Sequence, residues 1–255
     1  MIYILSPSTT MNFEKEINTT LASIPVFQND TNYLVSQLLK YNQEEFSDLM
    51  KLSNDLSSLN FDRYKSFVDS NIKGHALYSF TGEVFSNIDI DDFDTYDTSF
   101  ANEHFLIMSG LYGVLTPFDL IKPYRLEMKI KLKNNLGNDL YKFWKDKITI
   151  FLLDKLEKDS EGVIINLASN EYVKCIDLKK INTKYKFIDI VFKEYNCEKD
   201  EYKVLGMHSK RARGLMSNYI IKNKINTIDK LKCFNQGNYK YNELLSTENS
   251  LVFTR

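Results

Sequence analysis

The stretch Val163-Ile164-Ile165-Asn166-Leu167-Ala168-Ser169-Asn170-Glu171-Tyr172 decides the fold class. Its first five residues are a short, mostly apolar run, which is typical of a strand buried on both faces. Ser169 then stands where a helix N-cap would, and Glu171 suits the positive end of the helix that follows. A buried strand that turns directly into a helix is typical of α/β proteins, whose ligands gather at strand ends. We therefore expect Asn166 and Ser169 to bind a ligand; an ordinary helix cap is the alternative.

Segments before and after this stretch alternate between strand and helix patterns. Strands are predicted at Met1–Leu5, Phe105–Met108, Phe187–Phe192 and Tyr202–Leu205, the last two as an adjacent pair. Helices are predicted where apolar residues recur at helical spacing: through Leu34–Leu39, after the N-cap Asn42, over Tyr141–Leu156 and over Met207–Lys224. This interleaving predicts an α/β fold, with α+β as the alternative.

The composition excludes several classes of protein. With 43 % hydrophobic and 26 % charged residues, the 255-residue chain is ordinary for a globular protein, which excludes a collagen, a disordered tail and a coiled coil. Its apolar runs fall short of the ~20 residues that cross a bilayer, and no secretory signal is visible. Three widely spaced cysteines without a CxxC pair argue against a disulfide framework and a cysteine zinc site. We expect a cytoplasmic protein with no cofactor, no metal site and no membrane partner.

The net charge of −1 conceals an acidic and a basic part of the chain. Residues 1–100 hold 6 Lys+Arg and 15 Asp+Glu, a balance of −9, whereas residues 101–255 hold 27 and 19, a balance of +8. A polyanion is expected to contact the second part and to avoid the acidic stretch Asp89–Asp97. Lysine-rich helices that only face solvent would produce the same balance, so the charge alone leaves both interpretations open.

A glycine-containing turn leads to a candidate anion-binding arginine. The turn, Ser109-Gly110-Leu111-Tyr112-Gly113-Val114-Leu115, follows a predicted strand but matches neither a P-loop nor a dinucleotide fingerprint. In the later segment Pro123-Tyr124-Arg125-Leu126-Glu127-Met128, extended backbone would place Arg125 and Glu127 on the same side. The two form either a structural ion pair or an arginine that is oriented to bind an anion.

The segment His208-Ser209-Lys210-Arg211-Ala212-Arg213-Gly214-Leu215-Met216 is the most informative for function. Lys210, Arg211 and Arg213 occupy the first turns of a predicted helix, where the macrodipole disfavours cations by ~0.3–1 kcal/mol each. Gly214 lies inside the same helix and costs roughly 1 kcal/mol relative to alanine. Two adjacent departures from helix preferences indicate a site, and we predict that these cations and the free N–H groups bind an anion such as phosphate. A basic surface cluster is the alternative.

These blocks, in this order, resemble the YaaA family of bacterial peroxide-stress proteins. The resemblance covers essentially the whole chain, through Ser6-Pro7, Leu111–Leu115, Pro123–Met128, Asn166–Ser169 with Glu171-Tyr172, and Ala212–Met216. It implies a single α/β domain over residues 1–255, with a β core wrapped by helices and a positively charged cleft. It also implies binding to double-stranded or branched DNA and a role in limiting iron-driven oxidative damage, and it implies no known catalytic activity.

The resemblance further implies a helix-hairpin-helix element, which binds the DNA backbone through N–H groups at a turn. Its candidate is the helix after Asn42, a turn at Ser57-Ser58-Leu59-Asn60 and a short helix at Phe61–Val68. That turn has no glycine and lies in the acidic part of the chain. The sequence leaves open whether this element takes part in DNA binding.

Two classes of function remain. The first is a DNA-binding protein of low sequence specificity that acts under oxidative stress. Contacts with phosphate groups would come from five cations, namely Lys210, Arg211, Arg213, Arg125 and Lys174.

The second class is an enzyme that acts on a small phosphorylated or nucleotide-like substrate, so that a small-molecule anion would occupy the cleft. Polar residues that follow several strands would line this cleft: Ser6, Ser109, Asn166, Ser169 and Glu171. Glu127 or Glu171 would act as the general base, and the arginines would bind the anionic group. A deep closed pocket would favour the enzyme, and a long open basic groove would favour DNA.

Overall fold

The computed structural model describes residues 1–14 and 21–255. Its strands are β1 Ile2–Leu5, β2 Gly74–His75, β3 Phe105–Ser109, β4 Gly113–Leu115, β5 Leu120–Ile121, β6 Val163–Leu167, β7 Lys186–Asn196, β8 Glu201–Lys203, β9 Lys240–Tyr241 and β10 Ser250–Thr254. Its α-helices are α1 Gln28–Leu38, α2 Gln43–Met50, α3 Asn54–Lys65, α4 Ala76–Ser79, α5 Thr95–His104, α6 Leu140–Lys158, α7 Asn170–Val173, α8 Leu178–Ile181, α9 Gly206–Asn223 and α10 Ile228–Lys232. Strands and helices alternate, which confirms the predicted α/β class.

Eight of these strands form one mixed sheet. Its order is β4-β3-β1-β6-β7-β10-β9, and β8 pairs with the end of β7. The five central strands, from β3 to β10, run parallel, whereas β4 and β9 are antiparallel to their neighbours. Their sequences are largely unbroken apolar runs because helices cover a parallel sheet and leave no face in water.

The strand order of the sheet reverses between β1 and β6. The next sheet strand after β1 is β3, on one side of it, whereas β6 lies on its other side and is followed by β7 farther out. Tyr3 of β1 is in register with Phe105 of β3 and with Ile165 of β6. In open α/β sheets, ligands bind in the crevice beyond the carboxyl ends of the strands at such a reversal. The residues that directly follow Leu5 and Leu167 therefore lie at that crevice.

Two long helices are attached to the sheet by side-chain hydrogen bonds. In α6, Trp144 Nε1 donates to the Gly110 carbonyl oxygen at 2.9 Å. In α9, the Ser209 hydroxyl donates to the Phe192 carbonyl oxygen at 3.5 Å, and the Tyr3 hydroxyl donates to the Ile225 carbonyl oxygen just beyond its other end. Helix α9 therefore starts at the carboxyl edge of the sheet and runs back toward the start of β1.

Two glycines allow close packing around this edge. A Cβ atom on Gly214 of α9 would lie 2.2 Å from the Val84 carbonyl oxygen, and one on Gly110 would lie 2.2 Å from the Leu126 carbonyl oxygen. Both distances are too short for a Cβ atom, since real Cβ contacts are essentially never shorter than 3.0 Å. Gly214 was interpreted from the sequence as a sign of a binding site, but its role in the fold is to let α9 approach the turn at Val84.

The strand and helix predictions are confirmed with small shifts of their ends. The strands predicted at Met1–Leu5 and Phe105–Met108 are β1 and β3, and the late pair is the antiparallel pair of β7 and β8. Helix α2 begins with the expected capping box, since Asn42 Oδ1 accepts from the Glu45 N–H at 2.9 Å and the Glu45 carboxylate accepts from the Asn42 N–H at 2.9 Å. Among the described residues, no helix combines the length and apolar content that crossing a bilayer demands.

The turn predicted at Ser57–Asn60 is wrong. These residues lie inside α3, and the connection between α2 and α3 is Lys51–Ser53, where Lys51 has a left-handed φ of 52°. Polar residues suggested a turn here, yet Asn60 is buried and its amide donates to the Leu56 carbonyl oxygen of the same helix at 2.7 Å. The helix predicted over Phe61–Val68 is only the second half of α3, which ends at Lys65 and is followed by a turn.

Candidate functional site

Two predicted site residues meet at the crevice between β1 and β6. The Ser169 N–H donates to the Ser6 hydroxyl at 2.8 Å, and the two hydroxyl oxygens lie 3.3 Å apart. Ser169 occupies the N-cap position of α7, but its side chain makes no capping hydrogen bond, so the predicted side-chain cap is wrong. Its hydroxyl interacts instead with Ser6, which is 163 residues away in the chain. Both side chains are partly exposed, so a ligand can reach them.

Asn166 connects β6 to a carboxylate that the sequence analysis missed. Its amide nitrogen donates to Asp189 Oδ1 at 2.7 Å, and its amide oxygen accepts from the Ala168 N–H at 2.8 Å. Asn166 and Asp189 are in register on β6 and β7, where the paired part of these two strands ends. A signal was present in the sequence, because Asp189 places a charge inside the apolar run Phe187–Phe192.

Arg213 of α9 lies within electrostatic range of this carboxylate. Its side chain is half-buried, and its Nε atom is buried without a hydrogen-bond partner among the described residues. Burial lowers the pKa of the Arg213 guanidinium, and the nearby Asp189 carboxylate acts in the opposite direction. A buried donor without an acceptor is unfavourable by roughly 1–3 kcal/mol, so an anion bound beside Arg213 would offset this penalty.

Arg125 is part of a row of alternating charges. Arg125 Nη2 lies 3.5 Å from Glu127 Oε2, and Lys129 Nζ lies 2.9 Å from Glu127 Oε1. The hydrogen bond and the charge of Glu127 raise the pKa of Lys129. The backbone from Tyr124 to Glu127 belongs to no helix or strand, and Arg125 and Glu127 contact each other as the predicted extended segment required. The Arg125 Nε atom is also buried and, in the part of the chain that the structure describes, has no partner.

Glu171 brings this row next to the crevice. Its Oε1 atom accepts from the Lys129 N–H at 3.3 Å, and it lies two residues after Ser169. Two of the three segments singled out from the sequence therefore meet in space, and Arg213 extends the group through Asp189. Lys129 was missed, although the alternation of Arg125 and Glu127 extended by one step would have included it.

Buried tyrosines hold the Arg125 segment from behind. The Tyr64 hydroxyl of α3 donates to the Arg125 carbonyl oxygen at 2.8 Å, and the Tyr112 hydroxyl accepts from the Lys122 N–H at 3.0 Å. The hydroxyls of Tyr124 and Ser109 are 2.7 Å apart. Burial raises the pKa of Tyr64 and Tyr124, which keeps both hydroxyls protonated. The backbone that carries Arg125 is thus fixed before any ligand binds, which reduces the conformational entropy lost on binding.

Three of the residues predicted to contact phosphate groups, Lys174, Lys210 and Arg211, lie on the exposed surface of the protein. Lys210 and Arg211 are exposed, and neither has an ion-pair or hydrogen-bond partner in the described chain. The N-cap residue of α9 is Leu205, which has no polar side chain, and no other side chain of the described residues accepts from the first N–H groups of this helix. Lys174 is exposed in a separate groove of about 620 Å³, which Lys145 and Lys179 also line.

The C-terminal end of α9 differs from its N-terminal end, because its lysines form ion pairs with carboxylates. Lys222 Nζ lies 2.9 Å from both Asp92 Oδ2 and Asp97 Oδ2, and Lys224 forms an ion pair with Asp97 Oδ1. Burial raises the pKa of Asp97, but hydrogen bonds from Lys224 and Lys222 outweigh it and hold this pKa below its usual value. The acidic stretch Asp89–Asp97 therefore provides carboxylate partners for lysines of the same chain.

A second cluster fixes the start of α9. Glu194 Oε1 accepts from Arg255 Nη2 at 2.8 Å and from the Tyr239 hydroxyl at 2.9 Å, and it also contacts His208 Nδ1. Burial raises the pKa of Glu194, but the hydrogen bonds from Tyr239, Arg255 and His208 outweigh it, so the net shift is downward. His208 is thereby held by β7, and Lys210 and Arg211 follow it in the chain.

The described residues contain no group of three or more His, Cys, Asp or Glu side chains placed to hold a metal ion. The arrangement at the crevice consists of guanidinium and ammonium groups beside carboxylates and hydroxyls. Chemically, it can bind an anionic group through Arg125 and Arg213 and can accept hydrogen bonds from the same ligand through Glu127 and Glu171.

Comparison with known proteins gives consistent full-length similarity. Residues 1–245 match the family model described as peroxide stress protein YaaA. A UPF0246 protein of Acaryochloris marina is 43 % identical over 260 residues, which cover 100 % of both chains. A UPF0246 protein of Clostridium botulinum (strain Alaska E43) is 41 % identical over 256 residues, which cover 100 % of this chain and 99 % of the relative. A UPF0246 protein of Francisella philomiragia is 39 % identical over 260 residues, again with 100 % of both chains covered.

Proposed function

The chain belongs to the peroxide stress protein YaaA family, and from that premise we propose that it binds the phosphate backbone of DNA with little sequence preference. Membership of this family supports a role in the response to peroxide stress. On our proposal, the protein binds double-stranded or branched DNA and thereby limits iron-driven damage to it.

One observation carries this proposal. At the N-terminal end of α9, Lys210 and Arg211 are exposed and have no carboxylate partner among the described residues. They are the fifth and sixth residues of α9 and so lie in its second turn, where the macrodipole gives cations no stabilising role. A bound phosphate would interact favourably with both cations and with the uncapped N–H groups of the first turn.

The geometry favours phosphates over bases. Lysine, arginine and backbone N–H groups on an exposed helix end are suited to the phosphate backbone, contacts with which position a protein on DNA without reading its sequence. Base readout needs a helix or ribbon whose side chains reach the groove edges in a defined pattern. The expected binding is therefore strongly dependent on salt and similar for unrelated sequences.

The test is a fluorescence anisotropy titration of a labelled duplex at several salt concentrations. For Lys210→Ala/Arg211→Ala, loss of two phosphate contacts is expected to weaken binding by roughly 10- to 100-fold at low salt. The slope of log K against log salt should fall by about two. The control variant Lys155→Ala/Lys158→Ala removes the same charge from α6, where neither lysine has a partner in the described chain, and it should change the affinity less than about threefold.

Two results would contradict the proposal. One is that the wild-type protein fails to bind duplex DNA at low salt. The other is that the α6 control and the α9 variant lose the same affinity, because net charge would then explain the binding and the end of α9 would have no special role.

A further inference from the structure

We propose that the crevice at the ends of β1 and β6 is a second binding site, distinct from the DNA-backbone surface, for one compact phosphorylated ligand of the nucleoside monophosphate class. Its residues are Arg125, Glu127, Lys129, Glu171, Ser6 and Ser169, and Arg213 borders it through Asp189. This site goes beyond the proposed DNA binding, which depends on Lys210 and Arg211.

The charges of the crevice do not suit a polyanion. Glu127 and Glu171 both lie within the row that contains Arg125 and Lys129, with Glu127 only 3.5 Å from Arg125. Two phosphates of a DNA strand laid along this row would each meet a carboxylate, and like charges at such distances repel strongly where the surroundings are partly buried. A ligand with a single anionic group avoids this, because it places its charge at Arg125 and its neutral part at the carboxylates.

Unpartnered donors provide the place for the anion. The Nε atoms of Arg125 and Arg213 are both buried, and within the described residues neither has a hydrogen-bond acceptor. A phosphate has enough oxygens to accept from Nε and from a terminal nitrogen of the same guanidinium, in the bidentate geometry that arginine favours. The side chain of Arg125 remains 22 % exposed, so a ligand can approach it from solvent, and a rotation of the guanidinium without any change in the fold would bring the buried Nε atom to the phosphate.

Acceptors beside the arginine define the rest of the ligand. Glu127 is 19 % exposed, and a partly exposed carboxylate can accept hydrogen bonds from sugar hydroxyls or from base amino groups. The Ser6 and Ser169 hydroxyls stand 3.3 Å apart at the reversal of strand order, where α/β folds place such ligands. A phosphate together with several donors on one small framework is the chemistry of a nucleoside monophosphate.

The site is rigid because the tyrosine behind it fixes its main cation. Tyr64 of α3 donates to the Arg125 carbonyl oxygen, and Gly110 lies so close to the Leu126 carbonyl oxygen that this backbone cannot shift toward it. Tyr64 is therefore a positioning residue, which acts on the ligand only through Arg125. The monophosphate could be a free metabolite or a nucleotide extruded from a DNA strand, and the chemistry of recognition is the same for both.

The experiment is calorimetric titration of the full chain with each of the four ribonucleoside 5′-monophosphates, the matching nucleosides and inorganic phosphate. At least one monophosphate should bind at least about tenfold more tightly than inorganic phosphate or its nucleoside, because each of these lacks half of the contacts. Arg125→Gln should weaken this binding by about tenfold or more, and Glu127→Gln should weaken it without reducing the affinity for inorganic phosphate.

Matched variants distinguish ligand binding in the crevice from DNA-backbone binding at Lys210 and Arg211. Lys210→Ala/Arg211→Ala should leave monophosphate binding within about twofold while it weakens duplex binding, and Arg125→Gln should do the opposite. Tyr64→Phe should weaken the monophosphate in the wild-type background and have no further effect in Arg125→Gln, which a general loss of stability would not produce. Circular dichroism melting verifies that each variant is folded.

A competition assay identifies the source of the ligand. Displacement of the bound monophosphate by a duplex with one unpaired nucleotide, but not by a perfect duplex, assigns the site to an extruded nucleotide; displacement by neither assigns it to a free metabolite. The proposal is overturned if no monophosphate binds, or if Arg125→Gln binds it as tightly as the wild type. Either result leaves the proposed DNA binding standing, since that is measured separately on the α9 variant.

Discussion

The two ends of α9 carry the same kind of side chain in opposite settings. At the C-terminal end, Lys222 and Lys224 share the carboxylate of Asp97, which is 1 % exposed. At the N-terminal end, Lys210 and Arg211 are exposed and, in the described chain, have no partner. The macrodipole favours cations at the first of these ends and disfavours them at the second.

The comparison shows why counting charges misleads. The basic excess of the second part of the chain includes lysines that are neutralised by the acidic stretch of the first part, and these contribute to folding. Only the cations that the fold leaves without a partner are available to an anionic ligand. Position on a helix and access to a carboxylate, more than the number of cations, thus separate structural from functional residues.

Asp97→Asn is expected to have the largest effect on stability. The substitution removes the buried carboxylate that Lys222 and Lys224 share, although Lys222 keeps its ion pair with Asp92. We expect the free energy of unfolding to fall by about 2–3 kcal/mol, less than the roughly 3–5 kcal/mol of a fully buried pair, because both lysines are partly exposed. Urea denaturation measures it. A loss below about 0.5 kcal/mol would mean that the C-terminal lysines are as dispensable as those at the N-terminus.

The pH dependence of the stability difference between Asp97→Asn and the wild type tests whether the ionised carboxylate of Asp97 is the stabilising group. The pKa of Asp97 is lower in the folded protein than its usual value, so its stabilising contribution is present above the usual pKa of about 3.9 and is lost as the pH falls through the folded value. The difference in unfolding free energy between wild type and Asp97→Asn should be constant above about pH 5 and shrink below about pH 4. A difference that grows on acidification would contradict the ion-pair explanation.

Gly214→Ala tests the close packing of α9 against the turn at Val84, midway between the two ends of the helix. Helix propensity alone would make alanine more stable by roughly 1 kcal/mol, but the new Cβ would lie 2.2 Å from the Val84 carbonyl oxygen. We expect a net loss of about 2 kcal/mol in the free energy of unfolding. Gly206→Ala on the same helix is the control, since no described atom outside the adjoining backbone would lie within 4 Å of its Cβ, and the stability of this variant should be unchanged or higher.

Arg213→Met probes the half-buried cation between the two ends. It removes an Nε donor that has no partner in the described residues, and the linear side chain fills similar space. The free energy of unfolding should stay within about 1 kcal/mol of the wild type, or rise, because an unsatisfied buried donor is lost. A loss as large as that of Asp97→Asn would show that Arg213 is a structural residue.

Arg211→Glu is expected to have the smallest effect on stability and a large effect on binding. Arg211 is exposed and lies in the second turn of α9, beyond the first turn in which the macrodipole acts, so the Tm should change by less than about 2 °C. The affinity for duplex DNA should fall by at least tenfold, since a phosphate contact is replaced by a repulsion. Thermal melting and the anisotropy assay give the two values, and a fall in Tm of more than about 4 °C would show that Arg211 has a structural role.

Much of the fold could be predicted from the sequence because its elements have strong local signals. The apolar runs at Met1–Leu5 and Val163–Leu167 became central strands, and the capping residue Asn42 marks the start of α2. The turn at Ser57–Asn60 could not be predicted correctly, because the polar residues that indicate a turn are held in α3 by tertiary contacts: Ser57 and Asn60 are buried, and Ser58 accepts a hydrogen bond from Gln43 of α2. Whether such residues end a helix depends on packing against α2, which is not a local property.

The site was predicted only in part, since its geometry depends on contacts between distant segments. Ser6 and Ser169 follow strands, so their meeting could be anticipated from α/β topology. The exposure of Lys210 and Arg211, in contrast to the burial of Arg213 only two residues later, follows from how α9 lies against Val84. Asp189 was missed because its partner Asn166 comes from a neighbouring strand, whereas Lys129 pairs with Glu127 only two residues away and could have been found from the local alternation of charges.

The central place of β1 has a consequence for biosynthesis. Ile2–Leu5 leaves the ribosome well before its two hydrogen-bonding neighbours, which are Phe105–Ser109 and Val163–Leu167. At roughly 5–20 residues per second, translation delivers the second neighbour on the order of 8–30 s later. Until then the edge of β1 that faces β6 has no native partner, so the central sheet is completed late and through contacts of long sequence separation.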